Sequence, residues 1–77
     1  IRVEDILGEA ANLGKKYEWL GAADLYGQAL SMVDEEDYFR RGEIQEKIGY
    51  SLQRAAFQAE NKQEFRERMQ RSIEAYE

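Results

Sequence analysis

The sequence contains no cysteine, no histidine and no proline. Disulfide bonds, zinc sites built from thiolates or imidazoles, and Ser-His or Cys-His nucleophile pairs each need cysteine or histidine. Carboxylate chemistry remains available, but a chain of 77 residues is too short to enclose a substrate cavity within a large core. We therefore expect a single domain that is not an enzyme and that uses no metal or other cofactor.

Long apolar runs are also missing. No segment approaches the roughly 20 apolar residues that a bilayer crossing requires, and the first residues do not resemble a signal peptide. These features predict a soluble, cytoplasmic protein that does not bind membranes. Because the apolar pattern continues to both ends, we interpret the 77 residues as a piece of a longer chain.

The net charge of −5 is carried by the first half of the sequence. Basic side chains are concentrated only at Arg66, Arg68 and Arg71, where glutamates lie between them. A nucleic-acid interface needs a cluster of cations to neutralise phosphates, whereas mixed charges are typical of a solvated helix face. We therefore expect no binding to nucleic acid.

Apolar residues recur at steps of three and four along most of the chain, which is the spacing of α-helices. The pattern predicts four helices. The first ends near residue 13 or 14, the second covers about 18–33, and the third about 35–60. The fourth begins after Asn61, which with Glu64 three residues later predicts a capping box. Short connections make successive helices antiparallel. The expected fold is all-α, one domain over 1–77, with a hairpin at 1–33 and another at 35–77.

Four acidic residues, 34–37, separate the two predicted hairpins. An EF-hand loop needs alternating oxygen ligands and a glycine at its sixth position, where this sequence has Phe39. The run is better suited to the N-terminus of a helix, where a carboxylate accepts free backbone N–H groups. We predict that Asp34 caps the third helix.

The third helix carries two apolar stripes, so it should pack against two neighbours. The stripe with Gly42, Gly49 and Ala56 would allow another helix to approach closely, either within the chain or from a second copy. In the fourth helix, an apolar stripe predicts core positions rather than a cofactor site. Its members are Phe65, Met69, Ile73 and Tyr76.

Several motifs appear in the order found in a known helical repeat. The first hairpin has Leu7-Gly8, then Tyr17, then alanines and an aromatic residue spaced Ala22-x3-Tyr26-x2-Ala29. The second has Ile48-Gly49, then Phe65, then Met69-x3-Ile73-x2-Tyr76. This order resembles the tetratricopeptide repeat, and the longer helices are similar to its SNAP-like variants.

The resemblance implies two stacked hairpins forming a fragment of a right-handed superhelix. It also implies a concave surface, formed by the first helix of each hairpin, that binds a segment of another protein. The matching positions in this sequence are Arg2, Asp5, Glu9, Asn12, Glu43, Glu46, Tyr50 and Gln53. Because most of the charged positions in this set are acidic, the expected partner is a basic or polar segment, with Tyr50 as an apolar anchor.

The resulting expectation is a non-catalytic scaffold for protein–protein interaction. The alternative is a helical bundle that associates with itself and has a structural role. A third hypothesis, a carboxylate enzyme, has only the shared helix face of Glu43 and Glu46 in its favour.

Overall fold

The computed structural model describes residues 2–77, so Ile1, where the first predicted hairpin begins, lies outside the described residues. The described chain is all-helical, as predicted, and contains no strand. It forms α1 (Val3–Lys15), α2 (Trp19–Ser31), α3 (Tyr38–Phe57) and α4 (Lys62–Tyr76). Each helix packs against the next one along the chain. The Cα trace measures 37 × 26 × 13 Å, so the helices form a thin slab.

Small side chains make the core of this slab. Ala10, Ala22 and Ala29 have no exposed surface, and they pack in one cluster with Ile6, Tyr26, Val33 and Ile44. Alanine also has the highest helix propensity, so these positions favour both the helices and their close approach. The cluster joins α1, α2 and the first half of α3 into one unit.

The central helix α3 contacts both α2 and α4, as its two apolar stripes predict. Ile44 belongs to the cluster shared with α1 and α2. On the side that faces α4, the Ser72 hydroxyl donates a buried hydrogen bond of 2.7 Å to the carbonyl oxygen of Gly49. Arg68 of α4 donates to the carbonyl oxygen of Ala55 at 2.9 Å, so polar contacts also hold this pair of helices together.

The N-terminus of α3 differs from the prediction. Asp34 does not cap the helix; its carboxylate accepts a hydrogen bond from the N–H of Glu36 at 2.9 Å, within a turn closed by the bond from the Asp37 N–H to the Asp34 carbonyl. Asp37 is the N-cap and accepts from the N–H of Arg40 at 3.2 Å. Because Asp34 takes part in this turn, α3 begins later than predicted. It spans 38–57 instead of 35–60.

The predicted cap of α4 is confirmed. The Asn61 side chain accepts a hydrogen bond of 2.8 Å from the N–H of Glu64. The Glu64 carboxylate reaches back to the N–H of Glu60 at 3.3 Å, one residue before the usual partner in a capping box.

The apolar stripe of α4 is not core. Ile73 and Tyr76 are each 52% exposed, Phe65 is 39% exposed and Met69 is partly buried. The only buried residue of α4 is Ser72. The helix turns Ser72 and Arg68 toward α3 because both donate hydrogen bonds to its carbonyl groups, and this rotation leaves Ile73 at the surface.

Gly42 and Gly49, one seven-residue step apart on α3, occupy opposite environments. A methyl group at Gly42 would meet no atom within 4 Å, whereas at Gly49 it would lie 2.7 Å from the Tyr76 ring. Of these two glycines, only Gly49 is in close contact with another side chain.

We expect Gly42→Ala to stabilise the protein by about 1 kcal/mol, the difference in helix propensity between the two residues. Gly49→Ala should be less stabilising, because its methyl group displaces the Tyr76 ring. Urea unfolding measures both changes, and the NMR resonances of the Tyr76 ring report its displacement. Equal stabilisation by the two variants, with unchanged Tyr76 resonances, would contradict the contact between Gly49 and Tyr76.

Candidate functional site

An open groove of about 820 Å³ lies between α1 and α3, and we call it the aromatic groove. The end of α1 and the turn after it supply Ala11, Gly14, Lys15 and Tyr17. Trp19 and Tyr26 of α2 and Tyr76 of α4 also line it. The contributions of α3 are Glu43, Glu46, Lys47, Tyr50, Ser51 and Arg54.

Two hydrogen bonds link α1 to α3 at the ends of the groove. Near the start of both helices, Arg40 donates to the Glu4 carboxylate at 3.4 Å. Just beyond their last residues, the Gln58 side-chain amide donates to the carbonyl oxygen of Tyr17 at 2.9 Å. The Arg40–Glu4 pair is exposed and therefore contributes little stability.

The position of Trp19 depends on Gly14. A methyl group at Gly14 would lie 3.1 Å from the Trp19 ring, so the absence of a side chain lets this ring lie close against α1. The Trp19 ring then meets Tyr50 edge to face, with centroids 5.6 Å apart and planes at 85°. The guanidinium of Arg54 lies 5.9 Å from the centre of the Trp19 ring, within range of a cation–π contact.

Aromatic side chains of the groove remain accessible to a ligand. Tyr17 is 69% exposed, Tyr50 is 49% exposed and Tyr76 is 52% exposed. Tyr26 is buried beneath them, and its burial raises the pKa of the phenol above its usual value. An ordinary phenol, with a pKa of about 10, is already uncharged at physiological pH, so Tyr26 gives the groove an uncharged aromatic base.

The charges along the groove are mixed. Glu43 and Glu46 lie toward the start of α3, while Lys15 and Arg54 lie at the end that contains Trp19. Lys47 lies between them. The groove thus carries negative charge near one end and positive charge near the other.

Three of the eight predicted site residues, Glu43, Glu46 and Tyr50, line the aromatic groove. Gln53 is partly buried on α3 and does not line it. The other four predicted residues are exposed but lie outside the groove: Arg2, just before α1, and Asp5, Glu9 and Asn12 within it.

The reason is the rotation of α1 about its axis. At about 100° per residue, the face formed by Ala11, Gly14 and Lys15 is centred roughly 140° away from the face of Glu9 and Asn12, although Lys15 and Asn12 themselves are only about 60° apart. The apolar pattern also did not single out Tyr17, Trp19 or Arg54 as groove residues. One available signal was the glycine at position 14, which marks the place where a large side chain meets the backbone of α1.

Tyr17 has a backbone conformation that usually requires glycine. Its φ angle is 65°, and it is the only residue other than glycine with positive φ among the described residues. The Glu18 N–H bonds to the Leu13 carbonyl at 2.9 Å and the Tyr17 N–H to the Gly14 carbonyl at 3.0 Å. These two bonds form a Schellman motif that ends α1 at Lys15, one or two residues later than predicted. A tyrosine here carries strain that glycine would avoid.

The comparisons with known proteins identify no relative: no family model, curated protein or solved structure matches this chain. Within residues 2–77, no helix is both long enough and apolar enough to cross a membrane. The same residues contain no group of three or more potential metal ligands drawn from histidine, cysteine, aspartate and glutamate.

We expect Tyr17→Gly to stabilise the protein by about 1 kcal/mol by removing the left-handed strain. Tyr17→Ala is the matched control, because it removes the ring but keeps a Cβ atom. Both variants retain the main-chain oxygen that Gln58 binds. Urea unfolding should therefore rank Tyr17→Gly above both Tyr17→Ala and the native protein, and a loss of stability in Tyr17→Gly would refute the strain.

Proposed function

We propose that this chain is a non-catalytic, cytoplasmic module for protein–protein interaction, and that the aromatic groove binds a segment of a partner protein. The observation that carries the proposal is the set of half-exposed aromatic rings in one groove. Tyr17, Tyr50 and Tyr76 have substantial exposed area there, and tyrosine and tryptophan dominate the binding energy of protein interfaces.

The proposed architecture is a tetratricopeptide-like pair of antiparallel hairpins that forms part of a right-handed superhelix. Its support is the sequence of contacts, in which every helix packs on its neighbour along the chain. Connections of only a few residues, such as 16–18 and 58–61, favour antiparallel neighbours. In this architecture α1 and α3 are the first helices of the two hairpins, and the groove between them is the concave surface.

The partner segment should be polar and carry both charges. Glu43 and Glu46 favour a basic side chain in the partner, which agrees with the basic or polar partner expected from the sequence. Lys15, Lys47 and Arg54 add positive charge at the same groove, so an entirely basic segment would be repelled from the Trp19 end.

Self-association is the second candidate, and the exposed face of α4 favours it. Phe57, at the end of α3, lies 6.4 Å from Phe65 of α4 and is 60% exposed, and Ile73 of α4 is 52% exposed. The glycine stripe of α3 does not support it, because Gly49 and Ala56 are buried within the chain. Sedimentation equilibrium of the native chain beside Ile73→Glu tests this candidate; a monomer at high micromolar concentration would exclude it.

Affinity capture with single variants tests the main proposal. Glu46→Lys and Tyr50→Ala change the groove, whereas Glu9→Lys makes the same charge change as Glu46→Lys on an exposed position outside it. We expect partners held by the native chain and by Glu9→Lys to be lost from both groove variants. Each groove variant should weaken binding about tenfold, a difference of about 1.4 kcal/mol.

Circular dichroism of the three variants confirms that each remains folded. Retention of all partners by Glu46→Lys and Tyr50→Ala would refute the groove as the binding site. Loss from Glu9→Lys alone would move the site to the opposite face of α1.

A further inference from the structure

The shape of the aromatic groove restricts the conformation of its ligand. The Trp19 and Tyr50 rings meet at 85°, so their faces form a corner. A compact, rigid ring such as the pyrrolidine of proline can lie against both faces at once. The exposed Tyr17 ring lies at the same end of the groove. The hydrogen bond from the Gln58 side chain to the Tyr17 carbonyl places this residue next to the end of α3.

Three common modes of peptide binding can be compared with this site. Addition of a β-strand requires a sheet edge, and the described residues contain no strand. Binding of an amphipathic helix requires a broad apolar trough, whereas the rings here alternate with charged side chains such as Glu46, Lys47 and Arg54. A polyproline II segment, by contrast, fits a groove of aromatic rings with polar tips.

The backbone of a polyproline II segment also suits the polar groups. It has no internal hydrogen bonds, so its carbonyl groups are free to accept. The hydroxyl groups of Tyr17 and Tyr50 and the guanidinium of Arg54 are donors that line the groove. The segment therefore gains hydrogen bonds without giving up any of its own.

We propose that the aromatic groove binds a proline-containing segment in the polyproline II conformation. Prolines lie against Trp19, Tyr50 and Tyr17, an acidic residue lies at the end with Lys15 and Arg54, and a basic residue lies at the end with Glu43 and Glu46. This inference rests on the proposed function, whose partner class it specifies. From Glu43 to Arg54 α3 rises about 16 Å, which five or six residues at about 3.1 Å each would span.

The strained turn at Tyr17 supports the same inference. Glycine would relieve the strain, yet the position holds a tyrosine whose ring makes little contact within the chain, being 69% exposed. In the proposed complex that ring contacts the ligand, which gives the side chain a role that stability does not explain. These 77 residues contain no proline, so a second copy of them lacks the chemistry of the proposed ligand.

Titration with synthetic peptides tests the inference. The probe is Arg-Pro-Pro-Pro-Pro-Asp with blocked ends, and the controls are Arg-Ala-Ala-Ala-Ala-Asp, Arg-Pro-Pro-Pro-Pro-Arg and a longer amphipathic helical peptide of leucine, alanine and lysine. Trp19 is the only tryptophan, so its fluorescence reports binding at the groove, and ¹⁵N NMR shifts map the contact. We expect the probe to bind about tenfold more tightly than the alanine peptide and more tightly than the peptide with two arginines.

Protein variants complete the test. Tyr50→Ala and Tyr17→Gly should each weaken probe binding about tenfold. Phe39→Ala, which removes a ring that is 79% exposed outside the groove, should not change it. Because Tyr17→Gly is expected to stabilise the fold, weaker binding by this variant cannot be attributed to unfolding.

Two results would overturn the inference. The first is that the alanine peptide binds as tightly as the probe, or that the helical peptide binds more tightly and shifts the same ¹⁵N resonances. Either outcome would leave the proposed function intact but would give the ligand another conformation. The second is an absence of any peptide-induced change at Trp19 and Tyr50. In that case the capture experiment with Glu46→Lys and Glu9→Lys decides the proposed function separately.

Discussion

Close packing between alanines determines the shape of this protein. Ala10, Ala22, Ala29 and Ala55 have no exposed surface, and Ala56 has almost none. Alanine brings helix axes near each other but leaves little space for large rings between them. Most aromatic side chains are therefore displaced to the edges of the helices, where they stay partly exposed. The aromatic groove is a consequence of a core made from small residues.

Helix α3 connects this core to the groove. One of its faces places Ile44 among the buried residues of α1 and α2, and the next face places Gly49 and Ala55 against α4. Its remaining surface carries Tyr50 and the charged residues that line the groove. Because both neighbours hold α3 in place, the groove side chains extend from a rigid helix, which suits a site that binds with a defined geometry.

The connection between α1 and α2 provides the other half of the site. Gly14 lets the Trp19 ring lie against α1, and only three residues, 16–18, with Tyr17 in a left-handed conformation, connect α1 to α2. Gly14 and this short connection thus place two aromatic side chains, Tyr17 and Trp19, at one end of the groove. A longer and more flexible connection would not position Trp19 against Tyr50.

The sequence by itself determined the number of helices, the cap at Asn61 and the two neighbours of α3, because these depend on local hydrogen bonding and on the spacing of apolar residues. The resemblance to the tetratricopeptide repeat also pointed to Glu43, Glu46 and Tyr50, which line the groove. Only the tertiary structure decided the rotation of α1, the exposure of the α4 stripe and the contact between Trp19 and Tyr50. Periodicity identifies which residues share a face, but the direction of that face depends on contacts distant in sequence, such as Ser72 with Gly49.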